Sequence, residues 1–273
     1  MPEGLDKLAS GVGKAIKTVP DLYDDALKPA TQESGKTLAL IPRAINAALV
    51  PLRQWIAERE YKLAETEKLL AKKLEHVGEE KIVTPEAYVA VPAIQAISYS
   101  MNSEELRNLY ANLLAKAMNS DTKDQVHPSF VEIIKQMSPT DAIIFKSIMK
   151  RKANPLIDLI IESPEKSSFI IATNVSEFND LYTDKACMSI DNLNKFGLIS
   201  ILSDRYYSDA NFYNKILHSK YYVTQKQNHS VLPNDYQFSH KKKMIIKTSL
   251  GITFYNTCVI DLDEPTFLLN FDF

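Results

Sequence analysis

The sequence predicts a mainly α-helical protein with an α+β C-terminal part, its helical N-terminal region being elongated. Two observations carry this. From residue 52 to residue 151 apolar side chains recur at helical spacing behind capping residues. After about residue 152 β-branched and aromatic residues increase, and short apolar runs alternate with turn residues. The pattern divides the chain into an N-terminal segment, 1–50, a helical domain, 51–137, and an α+β domain, 138–273.

The N-terminal segment opens with Leu5, Leu8, Val12, Ile16 and Val19 on one helical face and Lys7, Lys14 and Lys17 largely opposite. Such a lysine-bearing amphipathic helix can lie on a membrane surface, or pack on the protein itself. Residues 37–50, TLALIPRAINAALV, are the most apolar run, but Pro42 and Arg43 interrupt it. A spanning helix needs about 20 mainly apolar residues, so a buried helix is the first expectation and an interfacial segment the alternative.

From Leu52 to about Val77 a single helix is expected, since the run lacks proline and glycine and is rich in Glu, Lys, Leu and Ala. Ile56, Leu63, Leu70 and Val77 repeat every seven residues, a narrow stripe suited to helix-hairpin packing. Gly78-Glu79-Glu80-Lys81 is the turn after it. Thr84-Pro85-Glu86 starts the next helix, expected to run to Ser98 with Tyr88, Val91, Ile94 and Ile97 inward. Asn102 and Glu105 have the spacing of a capping box for a helix ending near Met118. Its inner stripe is Leu106, Leu109, Leu113 and Ala117. His127-Pro128 opens a short helix and Ser138-Pro139 another, to Arg151, with Asp141 at the capping-box position.

Ile157–Ile161 and Phe169–Ile171 read as strands or buried helix pieces. Residues 183–201 are clearer: Ala186, Ile190, Leu193 and Phe196 form a helical stripe, Gly197 suits the left-handed position past its end, and Leu198–Ile201 is a strand. Met244–Thr248 reads as a strand, followed by a helix carrying Leu250, Phe254 and Cys258. Helix, then FGLI, then a strand ending in TSLG resembles a winged-helix domain, with residues 138–151 as its first helix. Phe267, Leu269, Phe271 and Phe273 alternate with period two and suit an added edge strand.

Composition narrows the function. A hydrophobic content of 45%, a charged content of 24% and a net charge of −2 are those of an ordinary globular chain without global attraction to nucleic acid or anionic lipid. The arginines, Arg43, Arg53, Arg59, Arg107, Arg151 and Arg205, supply little bidentate phosphate or guanine recognition. Cys187 and Cys258 lie in apolar patterns, as small buried hydrophobes in a reducing compartment would. Glycine-rich loops of the P-loop or dinucleotide type are missing.

The stretch LRNLYANLLAKAMNSDTKDQVHPSFVEIIKQMSPTDA, Leu106–Ala142, with Pro85-Glu86 before it, resembles the abortive infection alpha (Abi-alpha) family of bacterial phage-defence proteins. His127, Pro128, Ser138, Pro139 and Asp141 carry the motif. The resemblance covers residues 51–151 and extends over 184–258. It implies an antiviral role, limiting phage spread through death or arrest of the infected cell, and implies no reaction. The expectation is an interaction protein of the cytoplasm that meets a protein partner, or self-associates. The alternative is a membrane-perturbing effector using residues 1–50 at the inner membrane.

For DNA, the strongest local basic cluster is Lys241-Lys242-Lys243, read as lying just before the wing strand, where three lysines could neutralise phosphates. Lys185 and Lys195 would stand outward on the second helix with Ser189 and Asn192, but Asp184 and Asp191 oppose phosphate contact. A lysine run at the start of a strand is more often a solvated, aggregation-blocking feature. His76, His127, His218, His229 and His240 lack metal-ligand spacing, so no metal or other cofactor is expected. His127 suits a capping role. No catalytic residue is nominated, and an enzyme is not expected.

Overall fold

Helix caps and apolar stripes explain most of the architecture. A computed structural model of the protein describes residues 60–265 apart from 101, 166, 183 and 234. The readings of residues 1–50, of the start of the long helix and of Phe267–Phe273 lie outside the described residues. The described chain divides into two units, residues 60–135 with 260–265, and residues 136–259.

In the first unit, α1 (Glu60–Lys73), α2 (Ala87–Tyr99), α3 (Glu104–Ala117) and α4 (Ser129–Gln136) follow the expected order. Helix α3 packs against both α1 and α2. It is therefore buried all round from Leu109 to Ala117, including Asn112 and Lys116, where one stripe was expected. Three local readings shift. α1 ends at Lys73 rather than near Val77, the chain turning from Leu74 on. Ser103, not Asn102, caps α3: its hydroxyl accepts from Leu106 N at 3.3 Å, and its extended backbone places it there. On α2 the buried stripe is Val89, Ala90, Ala93, Ile94 and Ile97, while Tyr88 is 61% exposed. The small side chains of Ala90 and Ala93 face the core, and the bulky ring is turned out. Residues 79–81 form a 3-10 turn. Backbone bonds from Val83 N to Met118 O (2.8 Å) and from Ser120 N to Lys81 O (2.8 Å) then tie the segment after α1 to the end of α3. Lys73 reaches Asp261 at 2.6 Å.

The second unit is α+β. Helix α5 (Pro139–Lys150) starts at the expected capping box: Ser138 Oγ accepts from Asp141 N at 3.1 Å, and Asp141 Oδ2 from Ser138 N at 2.8 Å. Then come β1 (Pro155–Glu162), β2 (Ser168–Val175), the short α6 (Asn179–Tyr182), α7 (Asp184–Lys195) and β3 (Ile199–Leu202). Two further helices, α8 (Asn214–Leu217) and α9 (Lys220–Asn228), precede β4 (Gln237–Lys247). The unit ends with α10 (Ser249–Phe254) and a π-helical turn, Tyr255–Val259. The four strands form one antiparallel sheet in the order β2-β1-β4-β3.

Residues 157–161 and 169–171 are thus strands. β4 is more than twice the length expected and begins at Gln237 rather than Met244, because β1 pairs along it from Pro155 to Glu162. Helix α7 ends as expected, with Gly197 at φ 72°. α5 packs on α7, and Phe145 meets Phe254 edge-on at 5.6 Å. On the other side of the sheet Ile157, Leu159 and Val175 form a core with Tyr213 and Ile216. Leu250, expected on the inner stripe of α10, is 40% exposed, whereas Phe254 and Cys258 are buried.

Candidate interaction site

Strand alternation decides what the lysine run can do. Neighbouring residues of a strand point to opposite faces, so Lys242 leaves Lys241 and Lys243. Lys243 is 6% exposed. Its ammonium lies 3.0 and 3.2 Å from the two oxygens of Asp158 and donates to Asn174 Oδ1 at 2.6 Å, which uses all three of its protons. Lys242 lies over the ring of Tyr213, 5.1 Å from its centroid. Lys241 is exposed and bonds to Ser168 Oγ at 2.9 Å. The three do not form one cationic patch, and Lys243 is already neutralised. They also lie inside β4, not before it.

The Lys243 cluster has a backbone cause. Between Ile157 and Leu159 of β1 the partner strand advances from Val175 to Ala172, so β2 carries an extra residue there. Asn174 takes up the bulge with φ 55°, a conformation asparagine tolerates better than most side chains. Its N–H then donates to Asp158 Oδ1 at 2.9 Å and its amide to Asp191 Oδ1 at 2.5 Å. The group is a polar lock on the bulge, with the lysine ammonium as its cation.

The remaining expected residues are scattered. Lys185 and Lys195 are exposed on α7, as are Asp184 and Asp191, but Ser189 is buried because it lies on the face that meets the sheet and α5. His127 caps α4, its Nδ1 accepting from Ser129 N at 3.2 Å. Ser138, Pro139 and Asp141 form the start of α5. Those motif residues do local folding work. Cys258 is buried, and Cys187 is half-buried with Asn179 Nδ2 donating to its sulfur at 3.1 Å. Burial pushes the Cys187 thiol up from its ordinary value. Among the described residues no group of three or more His, Cys, Asp or Glu could hold a metal ion. Nor is any described helix long and apolar enough to cross a membrane.

What the sequence reading missed is a groove of about 830 Å³ between α9 and the start of β4. Its walls are aromatic and amide-bearing: Tyr222, His229, Tyr236 and Phe238, with Lys226, Gln227 and Gln237. A tight turn presents Tyr236, whose N–H donates to Pro233 O at 3.1 Å, with Asp235 at φ 71°. His229 stacks on Phe238 with 22° between the planes, and Tyr222 meets Phe238 edge-on at 5.6 Å. Tyr236 stacks on Phe169 of β2 at 6.4 Å and 27°. Phe169 and Phe238 both pair with Ile161, so one row of the sheet runs Phe169–Ile161–Phe238. Behind the groove Tyr222 and His240 meet edge-on at 5.9 Å, with 3.4 Å between the hydroxyl and Nδ1. Burial, then the nearby Lys242 charge, holds the His240 imidazole below its ordinary pKa. The available sequence signal was the aromatic density of 206–238, which carries Tyr206, Tyr207, Phe212, Tyr213, Tyr221, Tyr222, Tyr236 and Phe238.

The family model described as abortive infection alpha matches residues 58–258. The match spans both units and the groove. No curated protein and no solved structure matches the chain.

Proposed function

Since this chain belongs to the abortive infection alpha family and so has a role in phage defence, we propose that it acts there as a recognition component. Its α+β unit takes a ligand or partner in the groove between α9 and β4. One observation carries this reading. On the sheet face that bears Lys241 and Lys243 the Asp158–Asn174 lock takes up Lys243, while the opposite face opens into an aromatic groove at β4. A surface built from stacking rings suits recognition by shape and contact better than by phosphate attraction.

The same reading treats the unit as winged-helix-like. In its support, α5, β1, α6 with α7, β3 and β4 follow in that order, and the strands lie β1-β4-β3. β2 is an added edge strand. The connection from β3 to β4 stands where a wing would be, and it carries α8 and α9, one wall of the groove. On α7, where such a domain would present a DNA-reading helix, Lys185 and Lys195 are offset by Asp184 and Asp191.

Phage plating on cells that express the chain tests the reading. Tyr236→Ala should restore plating, whereas Lys241→Glu should leave protection intact. Protection that survives Tyr236→Ala would overturn it, and loss of protection with Lys241→Glu would then point to a nucleic-acid surface.

A further inference from the structure

Resting on the groove as the recognition site, we propose that it binds a nucleotide: a flat heterocyclic base against the aromatic walls, with its phosphate at Lys226. The volume of about 830 Å³ lies in the range of small-ligand sites, roughly 300–1,000 Å³. Three of its lining residues are aromatic rings already engaged in stacks, His229 on Phe238 at 22° and Tyr236 on Phe169 at 27°, and a planar base extends such a stack as an aliphatic chain does not.

The wall chemistry selects further. Gln227 and Asp235 lie among the rings. An apolar peptide side chain would bury these groups without partners, at a cost. The edge of a base supplies both donors and acceptors to them. Lys226 on α9 gives the groove an ammonium for one phosphate group. A nucleic-acid strand needs a run of cations along its backbone, and of the β4 lysines Lys243 is held by Asp158, Lys242 lies over Tyr213, Lys247 donates to Met149 O, and Lys241 is on the face away from the groove. The observations therefore favour a mononucleotide over a polymer.

Isothermal titration calorimetry of the full chain tests this with AMP, GMP, CMP and UMP, the matching nucleosides, ribose 5-phosphate and a short oligothymidylate. At least one nucleotide should bind with a Kd below about 0.1 mM, its nucleoside more weakly, and ribose 5-phosphate not measurably. Tyr236→Ala should weaken nucleotide and nucleoside alike by about fivefold to 150-fold, the range of one base–aromatic stack. Lys226→Ala should erase the difference between nucleotide and nucleoside. Thermal unfolding of each variant checks that the fold persists, and His229→Ala, which removes another ring of the groove, should weaken nucleotide and nucleoside alike if Tyr236→Ala unfolds.

The proposal is overturned if no mononucleotide binds at about 1 mM, if binding is indifferent to Tyr236→Ala, or if only the oligonucleotide binds. Should nucleotides fail to bind while Tyr236→Ala still abolishes phage protection, this inference falls and the recognition reading stands. Protection unaffected by Tyr236→Ala removes that reading itself.

Discussion

Replacing Lys243 with Met is the sharpest test of the polar lock, because it deletes the ammonium and keeps the apolar stem. In the native sheet the Lys243 side chain is 8% exposed and that of Asp158 15%. After the change Asp158 keeps the Asn174 N–H at 2.9 Å but loses its counter-charge, and Asn174 Oδ1 loses a donor at 2.6 Å. Removing one partner of a buried pair costs about 3–5 kcal/mol, because the other charge stays behind. Water reaches part of Asp158, so the low end applies here, about 3 kcal/mol. That is a large share of the roughly 5–15 kcal/mol that holds a domain together.

Adding Asp158→Asn removes the stranded charge and keeps an acceptor for the Asn174 N–H. The double variant should recover more than half of the loss. Urea unfolding followed by far-UV circular dichroism measures the cost. Hydrogen exchange at β1 and β4 amides assigns it to the sheet, since two units need not unfold together. A single-variant loss under about 1 kcal/mol, the worth of an exposed pair, or no recovery in the double variant, would refute the argument.

Other expectations rest on single contacts. Ser138→Ala removes the hydroxyl that caps α5 and should cost about 1 kcal/mol in the same unfolding assay. Gly251→Ala places a Cβ 1.9 Å from the Leu198 carbonyl oxygen; α10 must move, so a loss above about 2 kcal/mol and a drop in melting temperature are expected. His240 has a lowered folded-state pKa and so binds a proton less readily folded than unfolded. Stability should therefore be full above the unfolded value near 6.5 and fall as pH drops from there through the folded value. His240→Gln should flatten that slope in urea titrations between about pH 5 and 7. Native Cys187 should react slowly with a thiol reagent at pH 8, and Cys258 only on unfolding.

Much of the fold was legible because its signals are local. The Ser138–Asp141 capping box, the glycine at the end of α7 and the helical spacing of Leu109 and Leu113 each lie within a few residues of chain. Such hydrogen bonds and stripes form wherever the segment finds itself. The resemblance of Leu106–Ala142 to a phage-defence family lay in the sequence for the same reason, and the family match over residues 58–258 bears it out. Even so, single-position choices moved. Ser103 displaced Asn102 as a cap, and Tyr88 was exchanged for Val89 and Ala90, because close packing against α3 admits small side chains there.

What only the tertiary structure decided is the meaning of charges and rings that meet across long separations. Lys241-Lys242-Lys243 reads in sequence as one basic cluster. Strand alternation splits it, and Asp158, 85 positions earlier, claims Lys243. Asn174 joins them through a bulge that no local pattern marked, since a bulge is a mismatch between two strands and not a property of either. The groove arose in the same way. Phe169 and Tyr236 stack across 67 positions of chain, and Phe238 joins Phe169's row only because β1 pairs with both strands. By itself the sequence determined α2 to α5 and α7, the ends marked by Ser138 and Gly197, and the family, but not α6, α8 or α9. Burial and strand register, which depend on partners remote in the chain, determined which of its polar and aromatic residues could meet a ligand.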